Sequence, residues 1–272
     1  MKLNSPHQWK TSASITAAII AVAGTVLAIA GVSLTSIWPN DAWWELLMVA
    51  LATYVVVLIA VYVGLAWVSA RGTKIRINGI SVTIKQGDLF EAKGWKVISF
   101  NEYFDTTVDD VLVTASSVNG VFLQQYVDDP SALRRAIDDD AASLKLKART
   151  DGRIIFPLGR CIPFNKDYIL LAFTRFSEQN IAHLSIVEYL TCMLKMWEEI
   201  RRLYADRPVF LPLLGSGIMT LDGVPEKSNS DLLRILLESL KLSGVQINQP
   251  ITILLTKKAI QEINLYEMKS GI

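Results

Sequence analysis

"FLPLLGSGIM", residues 210–219, is an apolar run that ends on Gly215, Ser216 and Gly217. Its first half reads as a buried strand. Glycines at a strand end let the backbone approach a ligand closely and turn its N–H groups inward, which is how many proteins hold phosphate oxygens. A plain turn also uses glycine. The surrounding chain has to separate the two readings.

Working outward, further strand-like runs are "KIRINGISVTIKQGD" (74–88), "KVISF" (96–100), "DVLVTASS" (110–117), "RIIFPLG" (153–159), "YILLAFT" (168–174), "PVFLPLL" (208–214) and "ITILLT" (251–256). Between and after them lie helical runs: "PSALRRAIDDDAASLKLKA" (130–148), "HLSIVEYLTCMLKMWEEIRRLYA" (183–205), "SNSDLLRILLESLKLSG" (228–244) and "KKAIQEINLYEMK" (257–269). Short apolar strands alternating with amphipathic helices predict an α/β domain whose mixed or parallel sheet is covered by helices on both faces. Such sheets bind ligands beyond the carboxyl ends of their strands.

Three of those strand ends carry unusual chemistry. One ends on Gly87 and Asp88, with Leu89 next; one on Asn101 and Glu102; the third on the glycine loop with Ile218 after it. A carboxylate for an amino group, an amide for a ribose hydroxyl and backbone N–H groups for a diphosphate together make a nucleotide site, which favours the phosphate reading of the glycines. Each residue also has a plainer use: Asp88 in a turn, Asn101 as a cap, the glycines for steric reasons.

The N-terminal part is different. The chain has 272 residues, 51% hydrophobic and 19% charged, with a mean hydropathy of +0.33. The apolar excess is concentrated. No charged residue occurs from Thr11 to Asn40 or from Leu46 to Ala70, and each stretch exceeds the roughly 20 residues that cross a bilayer. A two-helix transmembrane hairpin over 11–70 is expected, followed by a cytoplasmic domain over 71–272. The first span, about Ala13 to Ile37, is rich in Ala, Gly, Ser and Thr and suits close helix packing. Trp38, Trp43 and Trp44 in the connection and Trp67 near the far end suit the membrane interface. Lys2 and Lys10 precede the first span and Arg71, Lys74 and Arg76 follow the second. Both termini are therefore expected in the cytoplasm. Neither span holds an ionisable residue, so the hairpin reads as an anchor or an assembling pore element rather than a substrate pathway.

Composition excludes other classes. The net charge is +1, and no basic run with interleaved aromatics occurs, so nucleic acid is not an expected partner. His7, His183, Cys161 and Cys192 lack metal-ligand spacing, so no metal and no cofactor is expected. Both cysteines read as structural.

The segments "VTIKQGD", "VISFNEYFDT" and "PLLGSGI" follow the order and spacing of the macro domain, a three-layer α/β/α sandwich with a mixed sheet that binds ADP-ribose. With the membrane hairpin in front, the whole chain resembles the effector of type II Thoeris anti-phage defence systems. The resemblance implies a receptor rather than an enzyme. A partner TIR-domain enzyme makes an ADP-ribose-derived signal, a histidine conjugate; the macro domain binds it, and the chain oligomerises and damages the inner membrane. Asp88 then matches the acid that contacts adenine, Asn101 the first asparagine near the distal ribose, and Gly215, Ser216, Gly217 and Ile218 the phosphate loop. The chain departs from macro-domain hydrolases, since Glu102, Tyr103 and Phe104 stand where a second asparagine is usual. They offer a pocket for an appended group, with Arg175 a further candidate. "ASSVNG" (115–120) is the nearest approach to the hydrolases' second glycine-rich loop, with a single glycine. A membrane-tethered ADP-ribosyl hydrolase and a passive ADP-ribose-binding scaffold remain alternatives.

Overall fold

A computed structural model describes residues 6–29, 43–70, 72–108, 113–177, 181–224 and 226–263. Contacts within the chain divide it between Gly72 and Thr73 into two units.

The first unit holds helices α1 (Pro6–Ile29) and α2 (Trp43–Ala70), which pack on each other. Ser12, Thr16 and Tyr62 are buried, whereas large apolar side chains of α2, among them Leu47, Leu51, Val55, Val56 and Ile59, stand exposed. The hydroxyls of Thr25 and Thr53 each donate to the carbonyl four residues earlier, at 2.8 Å, which satisfies a polar group without leaving its own helix. Among the described residues, Leu47–Gly64 alone is long and apolar enough to cross a membrane, with a mean hydropathy of 2.5, while Ser12–Thr25 is a shorter apolar stretch. Residues 30–37 of the expected first span, Trp38 and Arg71 lie outside the described residues.

The second unit is built on nine strands among the described residues. β1 (Thr73–Ile77) and β2 (Ile80–Gln86) form a hairpin. Asn78 and Gly79, at φ 50° and 82°, make the left-handed two-residue turn that matches strand twist. The sequence run 74–88 is therefore two strands rather than one. β3 (Trp95–Asn101), β4 (Cys161–Phe164), β5 (Tyr168–Phe176), β6 (Ala182–Ser185), β7 (Val209–Pro212), β8 (Thr220–Asp222) and β9 (Ile251–Leu255) complete the set. The order is β1-β2-β9-β7-β3-β5-β6-β8, with β4 also on β5. β2, β9, β7, β3 and β5 run parallel; β1 pairs antiparallel to β2, β4 and β6 pair antiparallel to β5, and β8 runs parallel to β6. The sheet is mixed, as expected. Two expected strands differ. Residues 113–117 form a turn into a helix, and 153–159 form no strand, β4 following instead.

Among the described residues, five helices flank this sheet: α3 (Val118–Gln125), α4 (Pro130–Ser143), α5 (Ile186–Leu203), α6 (Asn229–Ser243) and α7 (Lys257–Glu262). Strand side chains alternate between faces. Val97, Ile169, Leu171, Leu211 and Ile253 join Tyr189, Met196 and Trp197 of α5 and Leu233 and Leu236 of α6 in one core. Ile98, Phe100, Leu170 and Ala172 join Phe122 of α3 and Leu133 and Ile137 of α4 in the other. The result is three layers, helix on sheet on helix. Cys161 and Cys192 are buried and free. Burial pushes the Cys161 thiol well up and the Cys192 thiol up to about 12.

The helices start on strong local signals. Ser185 and Glu188 form a reciprocal capping box at α5, and Ser228 caps α6, each worth about 1 kcal/mol. What positions the site is the route of the chain after β3 and β7. These strands lie side by side, yet the chain leaves β3 for α3 and α4 on one face and β7 for α6 on the other. A crevice opens where adjacent strands send their chains to opposite faces.

Candidate functional site

The crevice is a cavity of about 380 Å³, within the usual range of small-molecule sites. Asn101, Thr174 and Phe176 close it from β3 and β5, and Thr114, Ser117 and Asn119 from the start of α3. The loop Leu213–Met219 lines it from β7, and Leu254 and Thr256 from the end of β9.

The glycine loop is shaped by its neighbours. Ser216 closes a tight turn, its amide and its hydroxyl both donating to the Leu213 carbonyl at 3.3 and 2.7 Å. Gly215 has φ +83°, and a Cβ there would come within 3.0 Å of Met219 Cε; a side chain is excluded by conformation and space together. Gly217 is different: a Cβ would meet nothing within 4 Å. The buried Tyr189 hydroxyl anchors the loop's base by donating to the Leu214 carbonyl at 3.0 Å, and burial pushes that phenol well above its ordinary range. The amides of Gly217, Ile218 and Met219 donate to no acceptor among the described residues. Unpaired N–H groups in a concave loop are an anion site.

Asn101 sits where the β3–β5 register shifts. Its Oδ1 accepts from the amides of Tyr103 and Asp105 at 3.1 and 3.2 Å, and its Nδ2 donates to Asp105 Oδ2 at 2.7 Å. The side chain thus both borders the cavity and organises the turn that follows.

Asn119 is the residue that sequence reasoning missed. It is 9% exposed, lines the cavity, and its Oδ1 has no partner. A buried amide oxygen left unpaired costs about 1–3 kcal/mol, and a ligand O–H or N–H would recover it. Its position follows from local chemistry. Ser117 caps α3 by accepting from the Gly120 amide at 2.9 Å, and a Cβ on Gly120 would fall 2.2 Å from the Thr114 carbonyl oxygen. The signal was present in "ASSVNG", weighed only for its glycine content.

Other expected site residues lie elsewhere. Asp88 is exposed at the end of β2, where its Oδ1 accepts from the Phe90 amide at 2.9 Å; it stands one strand beyond β9 and outside the cavity lining. Leu89 is buried in the α3/α4 core. Phe104 is fully buried, edge-on to Phe156 with ring centroids 4.8 Å apart. Tyr103 is half-buried under the Arg153 guanidinium at 4.4 Å. Glu102 is buried and pairs with Arg175 at 3.0 Å, and Arg175 also bonds Glu188 at 2.8 Å. Desolvation raises the Glu102 pKa against the opposing pull of Arg175. No cluster of metal-ligating side chains occurs among the described residues.

The chain has relatives among known proteins. The family described as Thoeris protein ThsA, Macro domain, matches residues 82–256. The Thoeris protein ThsA of Bacillus amyloliquefaciens (strain Y2) is 36% identical over 236 residues, covering 82% of this chain and 78% of that protein. A solved structure, the Oceanobacillus iheyensis macrodomain with ADP, is 14% identical and covers 73% of this chain and 94% of its own, with a TM-score of 0.49.

Proposed function

The chain belongs to the Thoeris ThsA family, a family of anti-phage defence, and from that membership we propose that its macro domain is the receptor for an ADP-ribose-derived signal. The observation that carries the reading is the glycine loop with its unpaired amides at the switch point of the sheet. A diphosphate against Gly217, Ile218 and Met219 would place the distal ribose towards Asn101 and Asn119. The adenine would then extend past the end of β9 towards Asp88. A TIR-domain enzyme is the proposed source of the signal, and a histidine conjugate its proposed form.

The helical unit acts at the inner membrane in this reading, with both termini cytoplasmic. An α2 surface of exposed Leu, Val and Ile is stable only when lipid or protein covers it. Assembly of several chains disrupts the bilayer, since a hairpin with no ionisable residue in its spans conducts nothing alone. Gly24 supports a role for α1 in assembly, because a Cβ there meets nothing within 4 Å in its own chain. Gly31, also in the expected first span, lies outside the described residues.

The test uses full-length protein in dye-loaded liposomes. ADP-ribose or its histidine conjugate is expected to bind, enlarge the oligomer and release dye, and Gly24→Leu to suppress release while leaving affinity intact. Release without ligand would separate sensing from membrane damage. Loss of label from ADP-ribosylated substrates, abolished by Asn101→Ala, would replace the receptor with a hydrolase.

A further inference from the structure

Lys227 lies in the segment between β8 and α6, and its ammonium reaches back beneath the glycine loop. Nζ donates to the carbonyl oxygens of Gly215 at 2.7 Å and Gly217 at 2.8 Å, and to that of Met219. An ammonium has three protons, and all three are used on one loop. The geometry has a directional effect. In a trans peptide the carbonyl of one residue and the amide of the next point opposite ways, and no cis peptide occurs among the described residues. Gathering the carbonyls of Gly215, Gly217 and Met219 at one point therefore turns the amides of Ser216, Ile218 and Thr220 away from it. Ser216 is taken up by Leu213, and Ile218 is left unpaired.

The charge is as notable as the geometry. Lys227 pairs with no carboxylate among the described residues; its partners are neutral carbonyls. Desolvation holds its pKa below that of an ordinary lysine. A cation kept part-buried without a counterion raises the potential on the other side of the loop, which is the wall of the cavity.

We infer that Lys227 is a positioning residue for a diphosphate: it turns the free Ile218 amide to the cavity side of the loop and holds a positive charge behind it. The inference rests on the reading of the cavity as an ADP-ribose site and assigns the residue that tunes it. A staple without an electrostatic role would hold the loop equally well as a neutral donor, and that difference is measurable.

The experiment titrates full-length protein in detergent with ADP-ribose and with inorganic pyrophosphate, at several salt concentrations, alongside melting of the unliganded protein. Lys227→Gln and Lys227→Met are expected to weaken both probes by about tenfold or more, the usual worth of a charged partner. They should also flatten the salt dependence of binding, while Lys227→Arg keeps the slope and most of the affinity. Neutral variants within twofold of wild type would overturn the inference, as would a loss of affinity with an unchanged salt slope. If Lys227→Met fails to fold, the comparison of Gln with Arg decides alone. Wild-type protein that binds neither probe would remove the reading of the cavity, and this inference with it; wild-type binding with indifferent variants removes only the inference.

Discussion

Gly217→Val separates what the glycine loop does for the fold from what it does for a ligand. A Cβ at Gly217 meets nothing within 4 Å, and the backbone there is not left-handed. The folded protein has no reason to resist the substitution, and the unfolded chain loses freedom. The expected change in stability of the free protein is between zero and a gain of about 0.5 kcal/mol. Binding should respond in the opposite sense. The valine methyls would stand between a diphosphate and the amides of Ile218 and Met219, and a hydrogen bond to a charged group is worth about 1.5–3 kcal/mol. Losing one gives an affinity loss of roughly 10- to 150-fold. Gly215→Val is the control from the same loop. Its φ of +83° and the approach to Met219 Cε at 3.0 Å should cost about 1–3 kcal/mol in the free protein. Calorimetric titration with ADP-ribose and thermal melting of the full-length chain read both quantities. A Gly217→Val protein that melts several degrees low, or that binds ADP-ribose as tightly as wild type, would refute the placement of the loop's open face in the cavity.

Asn119→Leu should raise the melting temperature of the free protein, because it removes a buried oxygen that costs about 1–3 kcal/mol unpaired, and should weaken ADP-ribose binding in the same sample. Tyr189→Phe leaves the Leu214 carbonyl without its donor and should lower stability by about 1–2 kcal/mol, read as a drop of about 2–8 °C in melting temperature. Glu102 gives a pH signature. Its folded pKa is raised, so between the ordinary glutamate value and the raised one the folded state holds more proton than the unfolded state. Its contribution to stability therefore falls as pH rises through that window. The melting temperature of Glu102→Gln minus that of wild type should climb across the same window and level off above it; a flat difference would contradict the burial of this carboxylate.

The layers were legible because the short apolar runs "YILLAFT" and "VISF", buried on both faces, and the apolar stripes of α5 and α6 are strong signals with one physical meaning. The loop 215–218 was legible for the same kind of reason, since glycine at a buried strand end has few uses. Where reading failed, the missing information was three-dimensional. Asn78-Gly79 is a turn signal inside an otherwise continuous strand pattern, and the longer pattern hid it. Phe104 follows the strand that carries Asn101, so it was placed with the ligand. Its φ of 53° instead turns the ring into the core against Phe156. Asp88 stands at a strand end as expected, but outside the cavity lining: its strand lies next to β9, whose end borders the crevice, an order no local sequence encodes. Asn119 and Lys227 belong to segments that read as loop, and only the folded chain shows that one faces the cavity and the other lies beneath its wall.

The two buried cysteines equip the chain with its own clock. With thiols raised far above their ordinary pKa and closed off from water, almost no thiolate exists at neutral pH in the folded state, and alkylating reagents or oxidants have nothing to attack. Each event that opens the α5 layer returns the thiols to their ordinary reactivity. Under excess reagent, the rate at which mass is added to the native protein is then the rate at which this layer opens, with no mutation or dye required. The same seclusion shields both thiols from oxidants for as long as the layer stays closed.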